Sequence, residues 1–273
     1  MSRLKHIFAN RQESGDRFAA EKLLNIFITA GYPGPEYTVP LVLELEASGA
    51  DMIELGMPFS DPLADGPTIQ HASNVALQHG ITLNDIFDMV SDIRRSSGIP
   101  LILMGYINPV LQFGMENFFR KAAECGVDGV ILPDAPPGEM SEIDHCCRRY
   151  GLDMIYLVAP NTPDERMKAI DEASSGFVYC VSVTGVTGSR EGDELTKSVD
   201  RFIRRVKKNI TRNPVLIGFG IRSHEDARRI AMHTDGFIVG SSLIDLIREE
   251  FPSGHWMEKA GQFVRELKYG SDA

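Results

Sequence analysis

SGADMIEL (48–55), CGVDGVIL (125–132) and HTDGFIVG (233–240) are three versions of one theme. Each ends a helical stretch, turns through a small or polar residue and enters an apolar run near an aspartate. Glycine at such a point supplies the left-handed C-cap of the preceding helix. The apolar runs recur down the chain as LLNIFIT (23–29), DMIEL (51–55), PLILMGY (100–106), VDGVIL (127–132), LDMIYLV (152–158), GFVYCVSV (176–183), PVLIGF (214–219) and DGFIVG (235–240). They are near-continuously hydrophobic, as strands buried on both faces of a parallel sheet must be. Helical patterns separate them: YTVPLVLELEASG (37–49) and LNDIFDMVSDIRR (83–95) carry apolar residues close to a 3.6-residue period. Eight such βα units predict an α/β fold, a closed (β/α)8 TIM barrel. The competing open, doubly wound sheet wants a phosphate fingerprint after its first strand, and ITAGYPGPE (28–36) is not GxGxxG. No Pro/Gly/Ser-rich linker divides the chain, so residues 1–273 are expected to form one domain.

A net charge of -10 and a pI near 5.2 speak against nucleic acid or an anionic membrane as partner. No apolar run approaches the roughly 20 residues of a membrane span. The start, MSRLKHIFANRQ, lacks the apolar core of a signal peptide; Leu4, Ile7 and Phe8 share a helical face and predict a short docking helix. Cys125, Cys146, Cys147 and Cys180 match neither zinc nor CxxC spacing, so reduced thiols in a cytoplasmic protein are expected.

In such a barrel the chemistry lies on the loops that follow the strands. The second run ends at Glu54 and feeds ELGMPFSDPLADGPTIQ (54–70), with three prolines, three carboxylates and no lysine or arginine. A glutamate ending an apolar strand is desolvated, which raises its pKa and suits acid/base work, although a surface salt bridge is the simpler use of such a residue. Asp61 and Asp65 stand where turn chemistry alone can account for an aspartate. Glycines 218, 220 and 240, with helices opening at Ser223 and at Ser241 or Ser242, predict a phosphate cradle after the last two strands. Phe27, Tyr106, Tyr179 and Phe219 fall in the later halves of their runs and suggest an apolar, planar substrate, the ordinary alternative being barrel core.

Absences narrow the chemistry. None of the nine lysines ends a predicted strand, which counts against a Schiff-base lyase. No two histidines share a ligand spacing, and His145, Cys146 and Cys147 point apart as helical neighbours, so no metal is expected. No GxSxG elbow is present.

The residues read so far resemble a known family. FITAGYPG (27–34), ELGMPFSDPLADGPTIQ (54–70), MGYINPV (104–110), GVDGVILPDAP (126–136), YCVSVTGVTG (179–188), GFGI (218–221) and VGS (239–241) are similar to segments of the alpha subunit of tryptophan synthase, in that family's order. The resemblance implies a lyase of tryptophan biosynthesis that cleaves indole-3-glycerol phosphate to indole and glyceraldehyde 3-phosphate by a retro-aldol reaction without lysine or metal. It implies a TIM barrel with extra helices near the phosphate site. Glu54 would be the main acid/base and Asp65 would accept the indole N–H. Tyr106, Tyr179 and Thr187 would line the site, Phe27 and Phe219 would sandwich the indole, and Gly188, Gly220, Gly240 and Ser241 would hold the phosphate. The loop after the sixth strand would close over substrate; Val183 stands before it where some members carry arginine. No cofactor is expected in this chain. Pyridoxal phosphate would belong to a partner beta subunit in an alpha2beta2 assembly, which the loop bearing Asp61 would touch. Two other readings compete: another sugar-phosphate barrel enzyme of aromatic amino-acid biosynthesis, or a catalytically silent activating subunit.

Overall fold

The structure is a computed structural model that describes residues 2–9, 22–138, 141–181, 193–218 and 220–271. Helix α1 (Arg3–Ala9) precedes strand β1 (Leu23–Thr29). There follow α2 (Thr38–Ala47), β2 (Met52–Gly56), α3 (Pro67–Gln78), α4 (Leu83–Arg94), β3 (Leu101–Met104), α5 (Ile107–Phe113), α6 (Met115–Cys125) and β4 (Gly129–Ile131). The second half holds α7 (Ser141–Tyr150), β5 (Asp153–Met154), β6 (Leu157–Val158), α8 (Asp164–Ala173), β7 (Val178–Val181), α9 (Asp193–Asn209), β8 (Val215–Gly218), α10 (His224–Ile230), β9 (Gly236–Val239), α11 (Ser241–Glu250) and α12 (Trp256–Tyr269).

All strand pairs are parallel, in the order β5-β4-β3-β2-β1-β9-β8-β7-β6. The two ends of that order are neighbours in the chain. The predicted fifth strand, 152–158, is two short pieces: the first pairs with β4 and the second with β7. Between them Ile155 N–H donates to Val130 O at 3.0 Å, and Tyr179 N–H donates to Tyr156 O at 3.0 Å. The sheet therefore closes into the expected barrel, at a stretch that turns from one neighbour to the other too quickly to hold one continuous strand. The extra helices are there also: β2, β3 and β9 are each followed by two helices.

Closure sorts the strand residues into two cores. Leu23, Met52, Ile102, Ile155, Phe177 and Leu216 point into the barrel, and Leu4 of α1 is fully buried against them. Ile7 and Phe8 pack on the same cluster, so the docking helix forms with the predicted face. The alternate residues, among them Ile26, Ile28, Ile53 and Leu55, join the helices in an outer core. With both faces covered, alternation of polar and apolar residues disappears. The thiol of Cys180 lies in that outer core, and all four cysteines are free.

The recurring aspartate has a structural explanation. Asp51, Asp128 and Asp235 each stand just before a strand and clasp one residue of the neighbouring strand. Their N–H groups donate to the carbonyls of Leu24, Leu101 and Val215 at 2.9, 2.8 and 2.8 Å. Their carboxylates accept the N–H of those same residues at 2.6, 2.9 and 2.8 Å. Each also meets a cation: Lys268 on Asp51, Arg94 and Arg3 on Asp128, and Lys207 on Asp235 at 3.7 Å. The amino-terminal end of the barrel is thus laced shut, which leaves the carboxyl ends of the strands for chemistry.

The Asp128 carboxylate is nearly buried between two guanidinium groups. Asp128→Ala takes the carboxylate from the largely buried Arg94, which keeps its bonds to the Gly126, Ser97 and Ile99 carbonyls, and from Leu101 N–H, and is expected to cost about 3–5 kcal/mol in urea unfolding. Removal of the exposed Asp92–Arg95 pair by Asp92→Ala is expected to cost about 0.5 kcal/mol or less. Equal effects of the two substitutions would show that the clasp contributes nothing special.

Candidate active site

Strand β2 turns Met52, Glu54 and Gly56 inward, because Ile53 and Leu55 belong to the outer core. Glu54 is 0% exposed. Its neighbour in β1 is Phe27, and Asn25, one inward step below Phe27, donates its Nδ2 hydrogen to Glu54 Oε1 at 2.5 Å. Among the described residues, Glu54 Oε2, Asn25 Oδ1 and Thr29 Oγ1 are buried without a hydrogen-bond partner. Burial pushes the Glu54 carboxyl up from 4.5 to about 8, and the Asn25 hydrogen bond pulls the other way. Among the described residues no salt bridge reaches it, and it is fully buried, so the surface-pair reading fails. A carboxyl titrating near neutrality can both give and take a proton at working pH.

Strand β7 brings Tyr179 to the interior of the barrel. Burial, and next the charge of Glu54, hold its hydroxyl well above the usual range. Its ring needs Gly218 on β8: a Cβ there would stand 2.7 Å from the Tyr179 hydroxyl. Phe27 has the same requirement on both sides. Added Cβ atoms at Gly56 and Gly240 would approach its side chain to 2.6 and 3.1 Å.

Above this layer, Asp65, Tyr106, Phe27, Ile69, Met104 and Pro133 line one cavity. Tyr106 does not belong to a strand as the run PLILMGY suggested. Strand β3 ends at Met104, and Tyr106 is the N-cap of α5, whose start is held by Ile107 N–H donating to Asp134 at 2.9 Å. The Tyr106 hydroxyl accepts Ala64 N–H at 3.0 Å and hydrogen-bonds the Asp65 carboxylate, so it pins the loop that carries Asp65. Burial raises the Asp65 pKa and the Tyr106 hydrogen bond lowers it; the Tyr106 hydroxyl is itself pushed up to about 12, first by burial. Pro67 opens helix α3 behind the loop, at N1, where its missing N–H costs nothing. Asp61 is exposed and accepts the Ser60 hydroxyl at 2.5 Å.

The two predicted helix starts are not equivalent. At α10 the Ser223 hydroxyl accepts Asp226 N–H at 3.2 Å, and the Asp226 carboxylate accepts Arg222 N–H at 3.2 Å. That end is capped from within and carries a negative charge. At α11 the N-cap is Gly240, which has no side chain to cap with, and Ser241 is the first helical residue. Ser242 Oγ donates to Ile221 O at 2.9 Å and ties this start to the loop after β8, where Gly220 takes a φ of +58°. An anion suits the α11 end, with its free-running helix dipole and no competing carboxylate cap.

The structure thus gathers Glu54, Phe27 and Tyr179 at the barrel interior, Asp65 and Tyr106 at its rim, and Gly220, Gly240 and Ser241 on adjoining loops. Thr187, Gly188 and Phe219, with Val183 and the loop 182–192, lie outside the described residues. The sequence reading passed over Asn25, although a polar residue interrupting LLNIFIT was its signal. It also gave no role to Asp134, which positions Tyr106 through α5. Among the described residues no group of three or more His, Cys, Asp or Glu could hold a metal ion, and no helix is long and apolar enough to cross a membrane.

Fold and site together define a (β/α)8-barrel enzyme with a buried glutamate facing inward from the middle of its second strand. A family model described as tryptophan synthase alpha chain matches residues 15–270. The tryptophan synthase alpha chain of Geotalea uraniireducens is 46% identical over 273 residues, covering 100% of this chain and 99% of that one. The alpha chain of Dehalococcoides mccartyi is 45% identical over 257 residues, covering 94% and 98%. The crystal structure of tryptophan synthase subunit alpha from Legionella pneumophila superposes with a TM-score of 0.86 at 37% identity, covering 100% and 99%. The chain belongs to the tryptophan synthase alpha chain family. That family cleaves indole-3-glycerol phosphate in tryptophan biosynthesis, and its alpha subunit is a lyase.

The buried carboxyl has a signature in stability. Glu54 binds its proton more tightly in the folded chain than in the unfolded one, so its contribution to stability is lost as pH rises from 4.5 to about 8. Glu54→Gln is exempt from that loss, which is on the order of 5 kcal/mol for such a displacement. The melting temperature of Glu54→Gln relative to the parent should climb across this window and level off above it. A pH-independent difference would contradict the burial of the ionised carboxylate.

Proposed function

We propose that Glu54 and Asp65 are the catalytic pair with which this chain cleaves indole-3-glycerol phosphate to indole and D-glyceraldehyde 3-phosphate. The observation that carries the reading is the inward-facing, fully buried Glu54 carboxyl, pushed up to about 8 with no cation beside it among the described residues. At neutral pH Glu54 is protonated. It donates that proton to the indole carbon bearing the side chain, and Asp65, ionised, accepts the indole N–H and stabilises the positive charge that develops on the ring. The Glu54 carboxylate then removes the proton from the adjacent hydroxyl. The carbon–carbon bond breaks, its electrons return to the ring, and the hydroxyl carbon becomes the aldehyde. Glu54 ends protonated, as it began, so the cycle consumes no proton and calls for neither a metal nor a Schiff base.

Phe27 and Phe219 hold the indole ring, Tyr106 fixes Asp65, and Tyr179 and Thr187 line the site. Gly188, Gly220, Gly240 and Ser241 hold the phosphate, chiefly through backbone N–H groups; the uncapped start of α11 supports this. Residues 1–273 work as one domain in the cytoplasm. The partner is a beta subunit carrying pyridoxal phosphate, in an alpha2beta2 assembly. Leu63, 87% exposed in the loop between Glu54 and α3, presents an apolar side chain on the face where that partner is expected.

Purified protein given indole-3-glycerol phosphate should release indole. Glu54→Gln is expected to lower kcat by about 10³-fold or more, and Asp65→Asn by about 10²-fold. Parent-like turnover in Glu54→Gln would overturn the assignment. The rate should fall as pH rises through about 8, where Glu54 loses its proton, and fall again on the acid side as Asp65, whose pKa burial raises, is protonated. A rate that increases from pH 7 to pH 9 would assign the acid to another group.

A further inference from the structure

Asn25 is the one amide inside the apolar run of β1. Its register partners on the two flanking strands are Met52 and Ile238, both apolar. Asn25 is 0% exposed, and its Oδ1 has no hydrogen-bond partner among the described residues. Burying a half-satisfied amide is unfavourable, and packing alone would favour valine or leucine here. What the amide does make is a 2.5 Å hydrogen bond from Nδ2 to Glu54 Oε1.

A glutamate carboxyl turns easily about its last torsion, and its two oxygens are chemically alike until something distinguishes them. The Asn25 amide distinguishes them. Oε1 accepts the Asn25 N–H, so a proton on Oε1 would face another hydrogen at close range. The acid proton is therefore held on Oε2, the oxygen with no protein partner among the described residues. We infer that Asn25 is a positioning residue for the reaction: it anchors Glu54 Oε1 and thereby presents Oε2 as the oxygen that gives the proton to the ring carbon and takes it from the hydroxyl. This inference rests on the assignment of Glu54 proposed above.

The surroundings leave this task to Asn25. Thr29 shares its inward row on β1, Ile102 and Met104 come from β3, Leu216 from β8 and Ile238 from β9. The titratable groups on the other elements about the site are Tyr179 of β7 and Asp65 of the loop after β2. Neither gives Glu54 a cation, so the amide is the described donor that favours its ionised form.

Asn25→Leu, close in volume and without a donor, tests this. Carboxyl carbon-13 NMR of glutamate-labelled protein, with the Glu54 signal identified by its loss in Glu54→Gln, gives the titration midpoint without substrate. The midpoint in Asn25→Leu is expected about one pH unit or more higher than in the parent. In turnover, kcat should fall about tenfold or more with KM within about twofold, because ground-state binding is untouched, and the alkaline limb should move up with the NMR midpoint. An unchanged midpoint would overturn the inference, as would a kcat loss that merely follows a lowered melting temperature. If Asn25→Leu does not fold, Asn25→Ser, whose hydroxyl is too short to span to Oε1, is read the same way. A parent chain that releases no indole would refute the proposed function instead, and the NMR comparison would still decide whether Asn25 sets the state of Glu54.

Discussion

The structure depends on closure of the sheet through residues 153–158. Six residues serve two edges: the first half pairs with β4, the second with β7. Once those edges are joined, every strand has two neighbours, and no unpaired row of N–H and C=O groups is left at an edge. Closure also creates an inside. Without it Met52 and Leu216 would have no common core, α1 would have nothing to plug, and Glu54 would face water on an open sheet with the pKa of an ordinary carboxylate.

Charge is handled in opposite ways at the two ends of the barrel. At the amino-terminal end, Asp51, Asp128 and Asp235 each accept a backbone N–H and meet a lysine or arginine. Those carboxylates are neutralised where they stand and do structural work. At the carboxyl end, Glu54 has an amide for a partner and Asp65 a phenol. Among the described residues neither meets a side-chain cation. A hydrogen bond orients a carboxylate without quenching it, and that distinction separates a clasp from an acid/base group.

The same economy of partners distinguishes the helix starts. Ser223 and Asp226 satisfy the beginning of α10 from within, whereas α11 begins at a glycine. Glycines elsewhere in the upper layer make room instead: 56 and 240 for the Phe27 side chain, 218 for the Tyr179 hydroxyl. Small residues on one strand thus set where the large side chains of its neighbours can lie, and the shape of the site follows from pairs of adjacent strands.

The sequence by itself determined the eight βα units, the docking face of α1 and the placing of Glu54 on the second strand, because unbroken apolar runs, 3.6-residue periodicity and chain direction in a parallel barrel are local properties; the strand end it set at Glu54 lies instead at Gly56. It also exposed the aspartate theme, without its meaning. Only the tertiary structure decided the rest. The split of the fifth strand, the clasp between each aspartate and a residue of the neighbouring strand, and the bond from Asn25 to Glu54 across 29 positions all depend on register. Tyr106 left its predicted strand because α5 begins there, held by Asp134 from the next βα unit. Register is set by which strands meet and at what stagger, and apolar runs that are hydrophobic at every position do not encode it.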